Sequence, residues 1–350
     1  MFRWCRLSTP TSAPAHRTAL PRAPPATPAK LEPMRYTYLG PSGTFTEAAL
    51  LTVPGAPDAE RIPATSVPAA LDALRDGTAD AAMVPIENSV EGGVTATLDA
   101  IAALDGSLRI VREVLVPITF VLVARPGTTL ADINTISTHT HAWAQVRSWV
   151  AENKPGVNYL PGSSTAGAAL GLLHDNPGYE AAICSPAVAQ AHPELEVLAH
   201  NIGDNKNAVT RFVLVARDAT IPAPTGADKT TLVIPLPQDR PGALLDLLEQ
   251  FSTRGINLSR IESRPTGEFL GAYFFSIDID GHLYDARVRD ALRGIHRVSP
   301  GVLYLGSYPR ADKRLASVDP MHDDTSFDAA RTWVETLFPG GRPESLKHNI

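Results

Sequence analysis

A chain of 350 residues, 44% of them hydrophobic and 19% charged, is long enough for about two domains and apolar enough to give each a core. Its net charge of −6, with no basic run in the body of the chain, argues against a nucleic-acid surface, which needs clustered Lys and Arg to neutralise phosphates. No stretch is apolar enough for a membrane span, and the two cysteines, Cys5 and Cys184, support neither a disulfide framework nor a thiolate metal site, so a reducing, cytoplasmic setting is expected.

Residues 1–33 hold seven prolines, five basic residues and one acid, Glu32. They are expected to be a disordered extension, or a stretch upstream of a true start at Met34. From Tyr36 short apolar runs alternate with helical periods: "YTYL" and a helix through "TEAALL"; "AAMVPI" and a helix through "TATLDAIAAL"; "ITFVLVA" and a helix through "AWAQVRSWVAE"; "VNYL" and "TAGAALGLL"; "AAIC" and "PAVAQA"; finally "RFVLVA". This grammar predicts an α/β domain over 34–218 with one or two largely parallel sheets.

Four junctions are rich in small, hydroxylated or amide residues: "GPSGTFTE" (40–47), "PIENSVEGG" (85–93), "STHTHAWAQ" (137–145) and "PGSSTAG" (161–167). Helix capping accounts for any one of them. Four in one α/β unit would converge beyond the strand ends on a cleft of hydrogen-bond donors, suited to an anion. "GPSGTF" lacks the G-K-S/T of a phosphate loop, and no H-E-x-x-H or G-x-G-x-x-G occurs. In "NAVTRFVLVAR" (207–217) strand alternation sends Thr210 and Phe212 to one face and Arg211 to the other.

After a Pro- and Gly-containing linker over 219–229, the pattern becomes a compact β-α-β-β-α-β unit over 230–309, predicting a ferredoxin-like domain. Its first helix is expected over 241–254, with Asp239 as a candidate cap and Leu244, Leu247, Leu248 and Phe251 at core spacing. In the tail, 310–350, "FDAARTWVETLF" has the period of one amphipathic helix.

"YLGPSGTFTEAAL", "VPIENSVEGGV", "STAGAA" and "NAVTRFVLVAR", in that order, resemble the motifs of prephenate dehydratases, and "RPGALLDLLEQFSTRGINLSRIESRP" resembles the ACT regulatory domain such enzymes carry. The resemblance implies a two-lobed catalytic domain like a periplasmic binding protein, followed by a βαββαβ ACT domain. The implied activity is decarboxylating dehydration of prephenate to phenylpyruvate in phenylalanine biosynthesis, without metal or other cofactor. Arogenate dehydration, or a non-catalytic amino-acid-binding protein, are the alternatives. By the same resemblance Thr210 is the catalytic residue, and Thr44, Asn88, Ser89, Gln145, Ser163, Ser164, Thr165, Arg211 and Phe212 bind substrate. Arg211 and Thr210 reach one substrate only if the strand ends or twists there. Glu87 would repel a dianion unless turned away. Where the family commonly has S-H-P-Q this chain has Thr138-His139-Thr140-His141, which puts a titratable ring in place of an amide. Gly242, Ala243, Leu244 and Leu245, with Glu262, Ser263, Arg264 and Pro265, match the signatures for feedback binding of L-phenylalanine at a subunit interface, implying a homodimer or homotetramer.

Overall fold

The computed structural model describes residues 34–338 apart from 91, 104–105, 218, 237–239 and 268–271. The extension expected over 1–33, the cap expected at Asp239 and residues 339–350 lie outside the described residues. The chain opens with β1 (Arg35–Leu39), α1 (Phe45–Leu51), β2 (Glu60–Ala64), α2 (Val67–Arg75), β3 (Ala81–Asn88), the short β4 (Gly92–Gly93), α3 (Thr95–Ala102) and β5 (Leu108–Pro117). Thr44 and Ser66 start the two first helices by accepting from the free N–H groups of Glu47 and Ala69. The chain then forms β6 (Val121–Ala124), β7 (Thr135–Thr138), α4 (Thr140–Ala144), α5 (Arg147–Asn153), β8 (Asn158–Pro161), α6 (Thr165–Gly171), β9 (Ala181–Cys184), α7 (Pro186–Ala191) and β10 (Glu196–Ala199), and returns in β11 (Val209–Arg217).

These strands make two sheets, β2-β1-β3-β11-β5 with β4 against β3, and β10-β6-β9-β7-β8. Both are mixed, which corrects the expectation of largely parallel sheets. β11 runs antiparallel to β3 and β5, and β6 antiparallel to β9 and β10. The strands responsible, β6 and β11, are apolar runs visible in the sequence, but their direction follows from the path by which the chain enters and leaves the second lobe, which periodicity does not report. The helix expected through 142–152 is broken at Gln145 and Val146 into α4 and α5; Asp204 accepts from the N–H groups of Ser148 and Trp149 to start the second piece. The segments joining the lobes lie side by side, with Ile118 N–H donating to Ala208 O at 2.8 Å and Ile202 N–H to Phe120 O at 3.0 Å. The first two sheets thus form two lobes with a cleft between them.

A third sheet follows: β12 (Asp228–Pro235), α8 (Ala243–Ser252), β13 (Leu258–Pro265), β14 (Tyr273–Asp280), α9 (Ala286–Val298) and β15 (Leu303–Pro309). Its order, β13-β14-β12-β15, all antiparallel, is the ferredoxin-like split βαβ arrangement. One face is covered by the helices, with Leu232, Ile277 and Ile279 packed against Leu247, Phe251 and Ile295. The other is applied to the first sheet: Val233, Phe274, Leu305 and Tyr308 share a core with Ile86, Ile110, Val213 and Val215. Each such side chain, fully buried, contributes about 1.5–3 kcal/mol. The approach is close enough that a Cβ on Gly306, whose φ is +135°, would collide with the Ile110 carbonyl. The tail forms α10 (Asp324–Thr336), which buries none of its residues and leaves Trp333 63% exposed.

Candidate active site

Thr210 sits on the second rung of β11, directly opposite Asn88 at the end of β3 and Val116 of β5. The pairing aims Thr210 and Phe212 into the space between the lobes. A cleft of about 280 Å³ opens there, at the lower edge of the roughly 300–1,000 Å³ usual for small-ligand sites. All four junctions reach it: Thr44 from the first, Asn88 from the second, His139, His141 and Gln145 from the third, and Ser163, Ser164 and Thr165 from the fourth. Phe45, Ile118, Phe120 and Phe212 supply an apolar wall, with Phe45 and Phe120 edge to face at 5.8 Å.

Apart from two histidines, the polar side chains of this cleft are hydroxyls and amides. No lysine or arginine lines it among the described residues, and the two histidines, stacked at 5.0 Å, are its only lining groups able to carry positive charge. Asn88 Nδ2 donates to Thr210 Oγ1 at 2.9 Å. Because that oxygen accepts from the amide, its own hydrogen is left for a different acceptor. Gln145 is 7% exposed; its Nε2 donates to His141 O at 3.1 Å, while its Oε1 is buried without a partner among the described residues. An orphaned acceptor costs about 1–3 kcal/mol unless a ligand donates to it. Thr44 and Ser164 also serve as helix caps, so capping and cleft lining coincide in these two residues.

Two expected substrate contacts are corrected. Arg211 does not reach the cleft: strand alternation holds through it, and its guanidinium points from the opposite face of the first sheet into the third. There Nε donates to Glu113 Oε2 at 2.7 Å, Nη2 to Tyr308 Oη at 2.8 Å, and Nη1 to Asp278 and, at 3.4 Å, to Glu87. Glu87, its cross-strand neighbour, is thus turned away from the cleft. Ser89 is exposed and stays outside the lining; its Oγ accepts from Val209 N–H and its own N–H donates to Val209 O, both at 2.9 Å, which fastens the entry of β11. Thr46 and Thr65 line the cleft without having been singled out from sequence. Thr65 follows β2 directly, and the rule that ligands gather at the carboxyl ends of strands finds it once "ERIPA" is recognised as a strand.

The two signatures of the third sheet do not meet within one chain. Gly242, left-handed at φ +85°, precedes α8; Ala243 lines a shallow cleft with Leu236, Asp246 and Ser299, while Leu244 and Leu245 are exposed. Ser263 and Pro265 are exposed on the edge strand β13, and the charged side chains of that strand turn to the first lobe. Arg264 grips Asp99 of α3 with two hydrogen bonds of 3.0 Å, and Glu262 lies so close over Gly93 that a Cβ there would be 2.6 Å from its carboxylate.

Among the described residues no group of three or more His, Cys, Asp or Glu is placed to hold a metal ion, and no helix is long and apolar enough to cross a membrane. A family model described as prephenate dehydratase matches residues 36–220. The prephenate dehydratase of Amycolatopsis methanolica is 41% identical over 307 residues, covering 87% of this chain and 98% of that one. The crystal structure of prephenate dehydratase from Arthrobacter aurescens in complex with L-Phe is 64% identical, with a TM-score of 0.83 over 87% of this chain and 99% of that chain. GqqA, described as a novel type of quorum-quenching acylase, is 31% identical with a TM-score of 0.69, covering 80% of this chain and 99% of that chain. By its motifs, its fold and these matches, the chain belongs to the prephenate dehydratase family.

Proposed function

We propose that the cleft around Thr210 converts prephenate to phenylpyruvate. The bond from the ring to its carboxylate breaks, its electron pair enters the ring, and the ring C–O bond breaks as hydroxide leaves with its own pair. The ring becomes aromatic and carbon dioxide is released. Charge grows on the departing oxygen, and Thr210, whose hydroxyl hydrogen is free to donate because Asn88 occupies its oxygen, supplies a hydrogen bond there. That Asn88–Thr210 contact is the observation that carries the reading. A threonine is a poor acid, so its part is electrostatic rather than full proton transfer. Ser163, Ser164 and Thr165 hold the carboxylates through neutral donors, beside Thr44, whose hydroxyl donates to Leu39 O at 3.2 Å and shapes the cleft edge; Gln145 Oε1 takes a substrate hydrogen, and Phe212 packs as part of the wall.

Residues 34–218 form the catalytic domain in this reading, 219–229 the linker, and 230–309 an ACT regulatory domain that binds L-phenylalanine as effector. The complex of the Arthrobacter aurescens relative with L-Phe supports the effector. The separation of the Ala243 cleft from Glu262 and Arg264 within one chain supports a site completed by a second copy, hence a homodimer or homotetramer. A cytoplasmic location is part of this reading; Cys184 is a buried free cysteine.

The test is ultraviolet detection of phenylpyruvate from purified protein and prephenate, with arogenate in a parallel assay for phenylalanine and mass in solution measured alongside. Turnover of prephenate is expected. Turnover of arogenate alone would reassign the substrate, and silence toward both would remove the catalytic reading.

A further inference from the structure

We propose that Arg211 is a positioning residue for the reaction: clamped by Asp278 of the third sheet, its guanidinium fixes the end of β11 that carries Thr210, so the third sheet sets the geometry of the cleft from behind. The inference rests on the assignment of Thr210 as the catalytic group.

The register makes the connection short. Thr210 faces Asn88 and Arg211 faces Glu87 on adjacent rungs of the same strand pair, so the cleft contact and the ionic contact lie back to back. The ladder on the β3 side is broken at this point: the register slips between Arg211 and Phe212, and Phe212 stands opposite Pro85, which has no N–H to give. Backbone pairing to β3 is therefore weakest beside the residue that must be placed best. The guanidinium supplies a rigid fixture there through Glu113, Asp278, Glu87 and Tyr308. Its partners are themselves held. Asp278 accepts from Arg260 Nε at 2.9 Å and Thr231 Oγ1 at 2.7 Å, and Glu113 from Lys229 Nζ at 3.0 Å and Ala311 N–H at 2.7 Å.

Adhesion alone does not explain such a cluster. The rest of this contact is apolar, and buried ions hold surfaces together less well than the hydrophobic residues that would fill their volume. What a planar five-donor fork adds is a fixed position and direction.

The experiment compares Tyr308→Phe, Asp278→Asn and Arg211→Lys with wild type and with Thr210→Val, using kcat and KM for prephenate well below each melting temperature. The expected result is a fall in kcat with KM within about twofold, a few-fold for Tyr308→Phe and about tenfold or more for the other two, since small misplacement of a reacting group costs up to about a hundredfold. A merely structural role would lower the melting temperature and leave kcat per folded molecule unchanged. Should Asp278→Asn not fold, Tyr308→Phe, which removes one hydroxyl, and Glu113→Gln decide the matter. Wild-type kcat in the folded variants, while Thr210→Val is inactive, overturns the proposal; wild-type kcat in Thr210→Val overturns the assignment of Thr210 instead.

Discussion

On one face of β11, Thr210 looks into an open cleft whose lining has no lysine or arginine among the described residues; on the other, Arg211 is 4% exposed and binds three carboxylates. The cleft holds neutral dipoles where charge has to develop and depart, so nothing in it is neutralised before substrate arrives. The rear face holds charges that already pair with one another, Arg211, Arg260 and Lys229 against Glu87, Glu113 and Asp278, although Arg260 Nη1 is buried without a hydrogen-bond partner among the described residues. Substitutions on the two faces should therefore fail differently, those in the cleft in rate alone and those at the rear in stability as well as in rate.

The largest effect is expected at the rear. Arg211→Met leaves Glu113 and Asp278 buried with one cation fewer, and breaking a buried pair costs about 3–5 kcal/mol. The midpoint of denaturant unfolding should fall accordingly, and a loss under about 1 kcal/mol would show that water enters the cluster. Acid reports on the same face. Burial opposes the charge of Asp278, yet Arg211 and Arg260 outweigh it and hold its carboxyl far below the ordinary carboxylate range. A depressed native pKa contributes stability that is complete above the unfolded value of about 3.9 and is lost as pH falls below it toward the native value. Wild-type stability should decline below about pH 4, and the Asp278 share of that decline should vanish in Asp278→Asn.

Thr210→Val keeps the shape of the side chain and removes its hydroxyl. Loss of one transition-state donor predicts kcat lower by about a hundredfold or more. The lost hydrogen bond to Asn88 should change stability by only about 1 kcal/mol. A variant with near wild-type turnover would abolish the contrast between the faces, because the cleft would then hold no hydroxyl that acts on the reaction.

The sequence shows which residues share a face but not what that face meets. Alternation in "TRF" separates Arg211 from Thr210 correctly, yet the destination of Arg211 depends on a sheet that begins some twenty residues later and packs across the strand. For the same reason the charges of "ESRP" read as ligand groups, although Arg264 is occupied by Asp99, a residue far away in the chain. The four junctions were legible because a helix start after a strand marks one end of a sheet whatever the tertiary arrangement. The direction of β11 was not, since it follows from the path by which the chain returns from the second lobe. The break at Gln145 depends on Asp204, fifty-six residues beyond Ser148, and no local pattern reports it.

The smallest effect should come from the pair that most resembles the rear cluster in form and least in setting. Arg264 and Asp99 make the same two-pronged contact, but their side chains are 24% and 48% exposed. Water screens such a pair to about 0.2–1 kcal/mol, so Asp99→Asn should leave the melting temperature and uninhibited turnover nearly unchanged. Its consequence lies in regulation. If Arg264 receives the carboxylate of phenylalanine, Asp99 competes for it, and removing that competitor should tighten inhibition by up to about fivefold, the equivalent of about 1 kcal/mol. Arg264→Ala should instead weaken it. Phenylalanine titrations of the two variants separate the possibilities: weakening by both to the same degree would mean that the ion pair transmits the signal and that Arg264 is no part of the effector site.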